Sequence, residues 1–189
     1  HPLNRYPERL TDRLDYWAGA TPNRPFLAER DDSGEWRHLT YGDARRRARG
    51  LAQAFIQRKL STDRTIVVLS GNSIAHALVA LGAMYCGVPY APAAPAYSLL
   101  VQDRRTLKRL VETMRPGLVF ADDGPRFEAA FGDIVDPSIE IVTTIPPAGL
   151  RSTTLAELEA TEPTDAVDKA RLAVSGDTIA KVLFTSGST

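Results

Sequence analysis

The chain has 189 residues and a single cysteine, Cys86. That excludes an intramolecular disulfide and a multi-cysteine zinc site. Histidine is nearly as scarce: His1 and His38 have no neighbours at metal-ligand spacing, and His76 stands alone in an apolar run. Neither sign of charge is in excess, since 23 Lys and Arg offset 23 Asp and Glu. There is therefore no global pull toward nucleic acid or an anionic membrane. Charge is missing altogether between Arg64 and Asp103. Asn72, His76, Pro89, Pro92 and Pro95 interrupt that stretch, so it predicts a buried helix and strand rather than a membrane span. No Gly-x-Gly-x-x-Gly, no Walker loop, no internal repeat and no low-complexity tract occurs. No basic-then-apolar leader is visible, and with one cysteine the expected location is cytoplasmic.

The residues that are present, 43% hydrophobic and 24% charged, are those of a globular chain. The length predicts one domain over residues 1–189. Pro7–Ala20 reads as a helix with Leu10, Leu14 and Trp17 at helical spacing, stopped by Thr21-Pro22. Pro25–Arg30 and Trp36–Thr40, joined through Asp31-Asp32-Ser33-Gly34, read as a β-hairpin. Thr40-Tyr41-Gly42-Asp43 opens a helix in the manner of a capping box, with Ala44, Ala48, Leu51, Ala52, Phe55 and Ile56 as its apolar stripe. Arg45, Arg46, Arg49 and Gln53 fall off that stripe, and the Arg45–Arg47 run reads as a solvated face.

Thr65–Leu69 has the continuous apolar character of a parallel strand. Asn72 is the expected N-cap of a helix from Ser73 to Cys86, ended by Gly87. A strand at Val88–Ala91 follows, and then a Ser98-capped helix ending at Met114 before Pro116-Gly117. Leu118–Phe120 and Ile139–Val142 read as strands, Arg126–Phe131 as a helix, and Leu155–Leu158 as a helical turn. Thr161–Lys169 reads as an exposed loop and Ile179–Phe184 as a last strand. The alternation predicts an α/β fold: a mostly parallel, Rossmann-like sheet with helices on both faces and a small N-terminal hairpin. Ligands of such sheets sit outside the carboxyl ends of the strands.

Two strand ends could carry chemistry. Gly71-Asn72-Ser73-Ile74-Ala75 nearly matches the nucleophile elbow of α/β-hydrolases. A hydrolase needs a histidine after its serine, and the one available, His76, lies on the same helix. A polar strand-to-helix turn accounts for the motif without catalysis. The second end is Thr185-Ser186-Gly187-Ser188-Thr189. Small residues let backbone N–H groups turn toward a phosphate, and hydroxyls add donors. By composition alone, such residues form a flexible end more often than a phosphate site.

Leu183–Thr189 resembles the opening of the phosphate-loop motif of the adenylate-forming acyl-CoA synthetase superfamily. Leu39-Thr40-Tyr41-Gly42-Asp43 resembles that family's early Leu-Thr-Tyr motif, and Leu81–Pro92 its helix-glycine-strand motif. Ser70–Leu78, Pro95–Leu99 and Asp177–Lys181 are similar to the feruloyl-CoA synthetases. The resemblance implies a two-step ligase that uses ATP with Mg²⁺, a hydroxycinnamate such as ferulate, and coenzyme A. It places Thr185, Ser186, Gly187, Ser188 and Thr189 on the phosphates, and Ala94 and Tyr97 on the coenzyme A side, where a structural proline loop is the competing reading.

The sequence stops inside the phosphate motif and lacks the family's later acidic and lysine motifs. The expectation is therefore an N-terminal fragment, catalytically silent by itself and dimerising through exposed apolar surface. The alternative is a stand-alone α/β module that binds a nucleotide or anion without catalysis.

Overall fold

The uncharged stretch after Arg64 opens with β3 (Thr65–Leu69), all five of whose residues are buried. In the computed structural model, which describes residues 6–31, 33–94, 105–132, 134 and 136–184, β3 lies inside a five-stranded sheet of order β4-β3-β5-β6-β7. Its partners are β4 (Tyr90–Ala93), β5 (Pro116–Asp123), β6 (Glu140–Ile145) and the short β7 (Thr153–Thr154). Every pair in this sheet is parallel. Each parallel return needs a crossover; helices supply those between β3 and β6, whereas β6 reaches β7 through residues 146–152 without one.

Helices cover both faces. Strand side chains alternate in direction, so Ile66, Val68, Leu118, Phe120 and Tyr90 face one cluster while Val67, Leu69, Val119, Ala121 and Ala91 face the other. The first cluster is built by α1 (Leu10–Ala20), α2 (Tyr41–Gln57), α3 (Ile74–Cys86), α6 (Leu155–Glu159) and α7 (Asp165–Ala173). The second is built by α4 (Arg105–Met114) and α5 (Gly124–Phe131). The antiparallel hairpin of β1 (Pro25–Arg30) and β2 (Trp36–Thr40) stands apart as its own two-stranded sheet. The expected α/β architecture, with its hairpin, is thus the observed one.

The seam between α2 and α3 is close. A β-carbon added at Gly82 would come 2.7 Å from the Leu51 β-carbon, so only glycine fits this crossing. Gly87 ends α3 in the left-handed region at φ 68°, where a glycine carries no steric penalty.

Several local expectations need correction. Leu10 is 64% exposed, and α1 buries Thr11, Leu14 and Ala18 instead. Only half of the capping box forms at Thr40: its hydroxyl accepts the Asp43 N–H, and the Asp43 carboxylate returns to that hydroxyl at 3.3 Å rather than to the Thr40 N–H. Gln53 is buried, because its side-chain carbonyl accepts both the N–H and the hydroxyl of Thr164, at 2.9 and 2.7 Å. The strand expected at Val88–Ala91 is shifted to Tyr90–Ala93. Pro116-Gly117 opens β5 rather than stopping α4, and the reversal falls on Arg115, at φ 45°. The Thr161–Lys169 loop is not one: Thr164 caps α7, and Val167 is fully buried. The last strand, Ile179–Phe184, is reduced to a single bridge from Lys181 to Tyr90. Ser98 lies outside the described residues.

Candidate functional site at the carboxyl edge

β3 ends at Leu69, and the chain turns through Ser70 and Gly71 into α3. Ser73, not Asn72, caps that helix: its Oγ accepts the His76 N–H at 3.1 Å. The imidazole folds back the other way. Its Nδ1 lies 3.0 Å from the Gly71 carbonyl oxygen and 3.2 Å from Ser70 Oγ. Ser73 therefore spends its oxygen on the helix while the His76 imidazole turns to Ser70 and Gly71, and the hydrolase arrangement is not assembled among the described residues. The amino end of α3 is also served from within the chain, because Glu29 accepts the Ile74 N–H at 2.6 Å and pairs with Arg37.

A cleft of ≈ 390 Å³ opens beside this turn, lined by Glu29, Asn72, Ser73, His76, Tyr90 and Lys181 among others. The Lys181 ammonium stands 5.6 Å from the centroid of the Tyr90 ring, a cation–π approach. β4 runs out at Ala93, which is buried, and Ala94 is exposed just beyond it at the carboxyl edge. Tyr97 lies outside the described residues.

β5 ends in two carboxylates. Asp123 caps α5 by accepting the Arg126 N–H at 3.1 Å. Burial pushes the Asp122 carboxyl above its ordinary range. Sequence reasoning missed Asp122, since only the true end of β5 shows that it reaches the edge. It stands beyond the strand core legible in Leu118–Phe120.

The closing segment meets the sheet at β4. Tyr90 N–H donates to the Ala180 carbonyl at 3.3 Å, and Val182 N–H donates to the Tyr90 carbonyl at 2.9 Å. The bridge is parallel, so the chain runs with β4 toward the carboxyl edge as it approaches Phe184. Val182 and Phe184 pack on the α4 side, whereas Ile179 and Leu183 are 59% and 67% exposed. The five hydroxyl and glycine positions Thr185, Ser186, Gly187, Ser188 and Thr189 lie outside the described residues.

A groove of ≈ 480 Å³ with Arg64, Glu112, Pro116 and Asp136 in its walls opens at the amino ends of β3 and β5. Open α/β sheets bind ligands at the opposite edge, so it is not the candidate site. Among the described residues, no group of three His, Cys, Asp or Glu could hold a metal ion, and no helix is long and apolar enough to cross a membrane.

Residues 14–189 match the family described as AMP-binding enzyme. A relative from Salinispora arenicola (strain CNS-205), described as "Probable non-canonical nonribosomal peptide synthetase (NRPS) CymA", is 28% identical over 184 residues, which is 97% of this chain and 2% of that protein. Among solved structures, McyG A-PCP complexed with phenylalanyl-adenylate is 15% identical with a TM-score of 0.69, over 99% of this chain and 32% of that one. A fatty acyl-adenylate ligase from a study of the E. coli and L. pneumophila enzymes is 19% identical with a TM-score of 0.68, over 97% of this chain and 31% of that one. A benzoate CoA ligase from Burkholderia xenovorans LB400 is 18% identical with a TM-score of 0.61, over 87% of this chain and 30% of that one. The chain thus spans about a third of each of these solved structures.

Proposed function

This chain belongs to the AMP-binding enzyme family, and from that premise we propose that it supplies the amino-terminal part of a two-step ligase. In the first step a carboxylate oxygen attacks the α-phosphorus of ATP. The bond to the β-phosphate oxygen breaks, giving an acyl-adenylate and pyrophosphate. In the second step a thiolate attacks the acyl carbon, AMP leaves, and a thioester forms. Thr185, Ser186, Gly187, Ser188 and Thr189 hold the outgoing phosphates, their N–H and hydroxyl groups meeting charge as it develops on pyrophosphate. Ala94 and Tyr97 are assigned to the side from which the thiol enters. The acid is a hydroxycinnamate of the ferulate type, and the thiol is coenzyme A.

The observation that carries this reading is the family match, which extends to Thr189 and so takes in the hydroxyl-rich segment. The parallel run-in beside Tyr90 supports it by leading toward the carboxyl edge. The test is pyrophosphate release by the enzyme that carries this chain, with ATP, Mg²⁺ and a panel of aromatic acids, with and without coenzyme A. Ferulate-dependent release followed by a coenzyme A thioester is expected, and no release with any acid overturns the reading. The 189-residue chain alone is expected to be silent.

A second reading is favoured by the 28% identity to the peptide synthetase over 97% of this chain. The activated acid then passes to the thiol of a carrier protein. Amino-acid-dependent release with no coenzyme A thioester selects it.

A further inference from the structure

The cleft beside the turn from β3 into α3 is lined by polar groups that the fold leaves without partners. Its ≈ 390 Å³ lies in the range of small-molecule sites, about 300–1,000 Å³. The tautomer of His76 follows from its contacts. The Gly71 carbonyl, 3.0 Å from Nδ1, can only accept, so Nδ1 carries the proton. Ser70 Oγ, the other neighbour of Nδ1, donates its own proton to that same carbonyl at 2.7 Å. In the neutral ring Nε2 is therefore a lone-pair acceptor. It meets no hydrogen-bond partner among the described residues.

Tyr90 lines the same cleft. It is 4% exposed, and its hydroxyl meets no hydrogen-bond partner among the described residues. Burial pushes the phenol above its ordinary value, so it stays protonated and can donate. The Lys181 ammonium has the Tyr90 ring, 5.6 Å to the centroid, as its neighbour and no ion pair among the described residues. The His76 ring stands at right angles to the Tyr90 ring, with centroids 6.5 Å apart. Glu29, the carboxylate in the walls, is already committed, since it accepts the Ile74 N–H and pairs with Arg37. Leu27, Ala77 and Ala80 supply apolar wall.

We propose that this cleft binds a small hydroxyaryl carboxylate: the carboxylate meets the Lys181 ammonium and the Tyr90 hydroxyl, the ligand hydroxyl donates to His76 Nε2, and the ring lies on Ala77 and Ala80. The combination of groups selects the class. An inorganic anion leaves the apolar wall and Nε2 unused. A purely apolar molecule leaves the ammonium and the hydroxyl unpaired, and hydrogen bonds with an ionised partner are the stronger ones. Lys181 and His76 both stand within 6.5 Å of the Tyr90 centroid, so a single ring with its two substituents spans them. The site is built without residues 185–189 and does not rest on the ligase reading.

The test follows amide chemical shifts of the 189-residue chain during titration with 4-hydroxybenzoate, benzoate and 4-hydroxybenzyl alcohol. Benzoate lacks the donor for His76, and the alcohol lacks the carboxylate for Lys181. Saturable shifts are expected at Ala77, Ala80 and Lys181, with 4-hydroxybenzoate bound at least fivefold more tightly than either analogue. His76→Phe is expected to bring 4-hydroxybenzoate down to the affinity of benzoate while benzoate stays within twofold. Lys181→Met is expected to bring it down to the affinity of the alcohol while the alcohol stays within twofold. Shifts that grow linearly without saturation, equal affinity for the three compounds, or an equal loss of all three in either variant overturns the proposal. If His76→Phe does not fold, the wild-type ratio of 4-hydroxybenzoate to benzoate decides, and a ratio near one overturns it. Absence of pyrophosphate release by the enzyme that carries the chain sinks the ligase reading and leaves this binding result standing.

Discussion

α2 and α7 pack on the same side of the same sheet, yet they are held there by different physics. α2 buries Ala44, Ala48, Leu51, Ala52 and Phe55 along one stripe, and α3 crosses it closely at Gly82. α7 buries Val167 and depends on Arg49, Gln53, Asp12 and Arg9. Burial of a stripe is a local, periodic property that an amphipathic helix carries in its own residues. An ion pair between positions 119 residues apart, as for Arg49 and Asp168, is invisible until the chain has folded. The difference teaches which helices hold the domain together and which are merely held by it.

The largest effect should come from attacking the apolar side of this comparison. Phe55 of α2 is fully buried. Phe55→Ala removes its contacts and leaves a cavity, at a cost of about 3–5 kcal/mol. Urea unfolding of the 189-residue chain is the measurement, and a loss under about 1 kcal/mol would show that α2 is not the anchor.

The seam itself is tested by Gly82→Val. The added β-carbon would sit 2.7 Å from the Leu51 β-carbon and 3.3 Å from the Ala48 carbonyl oxygen. Overpacking of this kind costs about 1–3 kcal/mol. The expected signature is a lower urea midpoint, with hydrogen exchange quickened first in α2 and α3. Quickening confined to α4 and α5 would place the strain on the wrong face.

The same distinction governs what could be read before the structure was known. The hairpin, α2, β3, α3 and the parallel α/β order were all legible, because hydrophobic periods and turn residues are local. α7 was not, since Thr161–Lys169 offers one apolar anchor and a proline. The end of β5 was not, so Asp122 went unremarked. Ile179–Phe184 has the composition of a strand but only one residue paired to β4, at Lys181. At the candidate site, the serine–histidine alternative fell to a detail of capping: Ser73 closes the helix, and the imidazole turns to Ser70 and Gly71.

Acid should separate the polar attachments from the apolar ones. Glu140 of β6 is bound by Arg58 at 2.5 and 3.0 Å and by the Thr153 hydroxyl at 2.7 Å. Burial by itself would raise its carboxyl, but these hydrogen bonds outweigh burial and hold it below the ordinary value. A carboxyl depressed in the folded state contributes stability above its unfolded pKa, about 4.3. That contribution is lost as pH falls through the folded value. Stability should therefore decline with acid below about pH 4.5. Glu140→Gln should flatten this decline without changing the plateau's shape above it. An unchanged acid slope in the variant would show that the pair does not couple to folding.

The smallest global effect is expected at Asp168, and it sharpens the comparison most. Its side chain is 51% exposed, whereas its partner Arg49 is 15% exposed. The hydrogen bonds from Arg49 hold the Asp168 carboxyl below its ordinary range. Solvent screens a pair of this exposure, so Asp168→Asn should lower global stability by under about 1 kcal/mol. The neutral amide can still accept one hydrogen bond from Arg49, so the loss is partial. The local consequence should exceed the global one: the Val167 amide, bonded to the Thr164 carbonyl, should exchange through an opening well below the global unfolding free energy. If Asp168→Asn costs as much as Phe55→Ala, α7 belongs to the cooperative core and its polar contacts are structural supports equal to the apolar stripe. If the cost is small and the opening local, α7 is an attachment that can shift while the sheet stays intact.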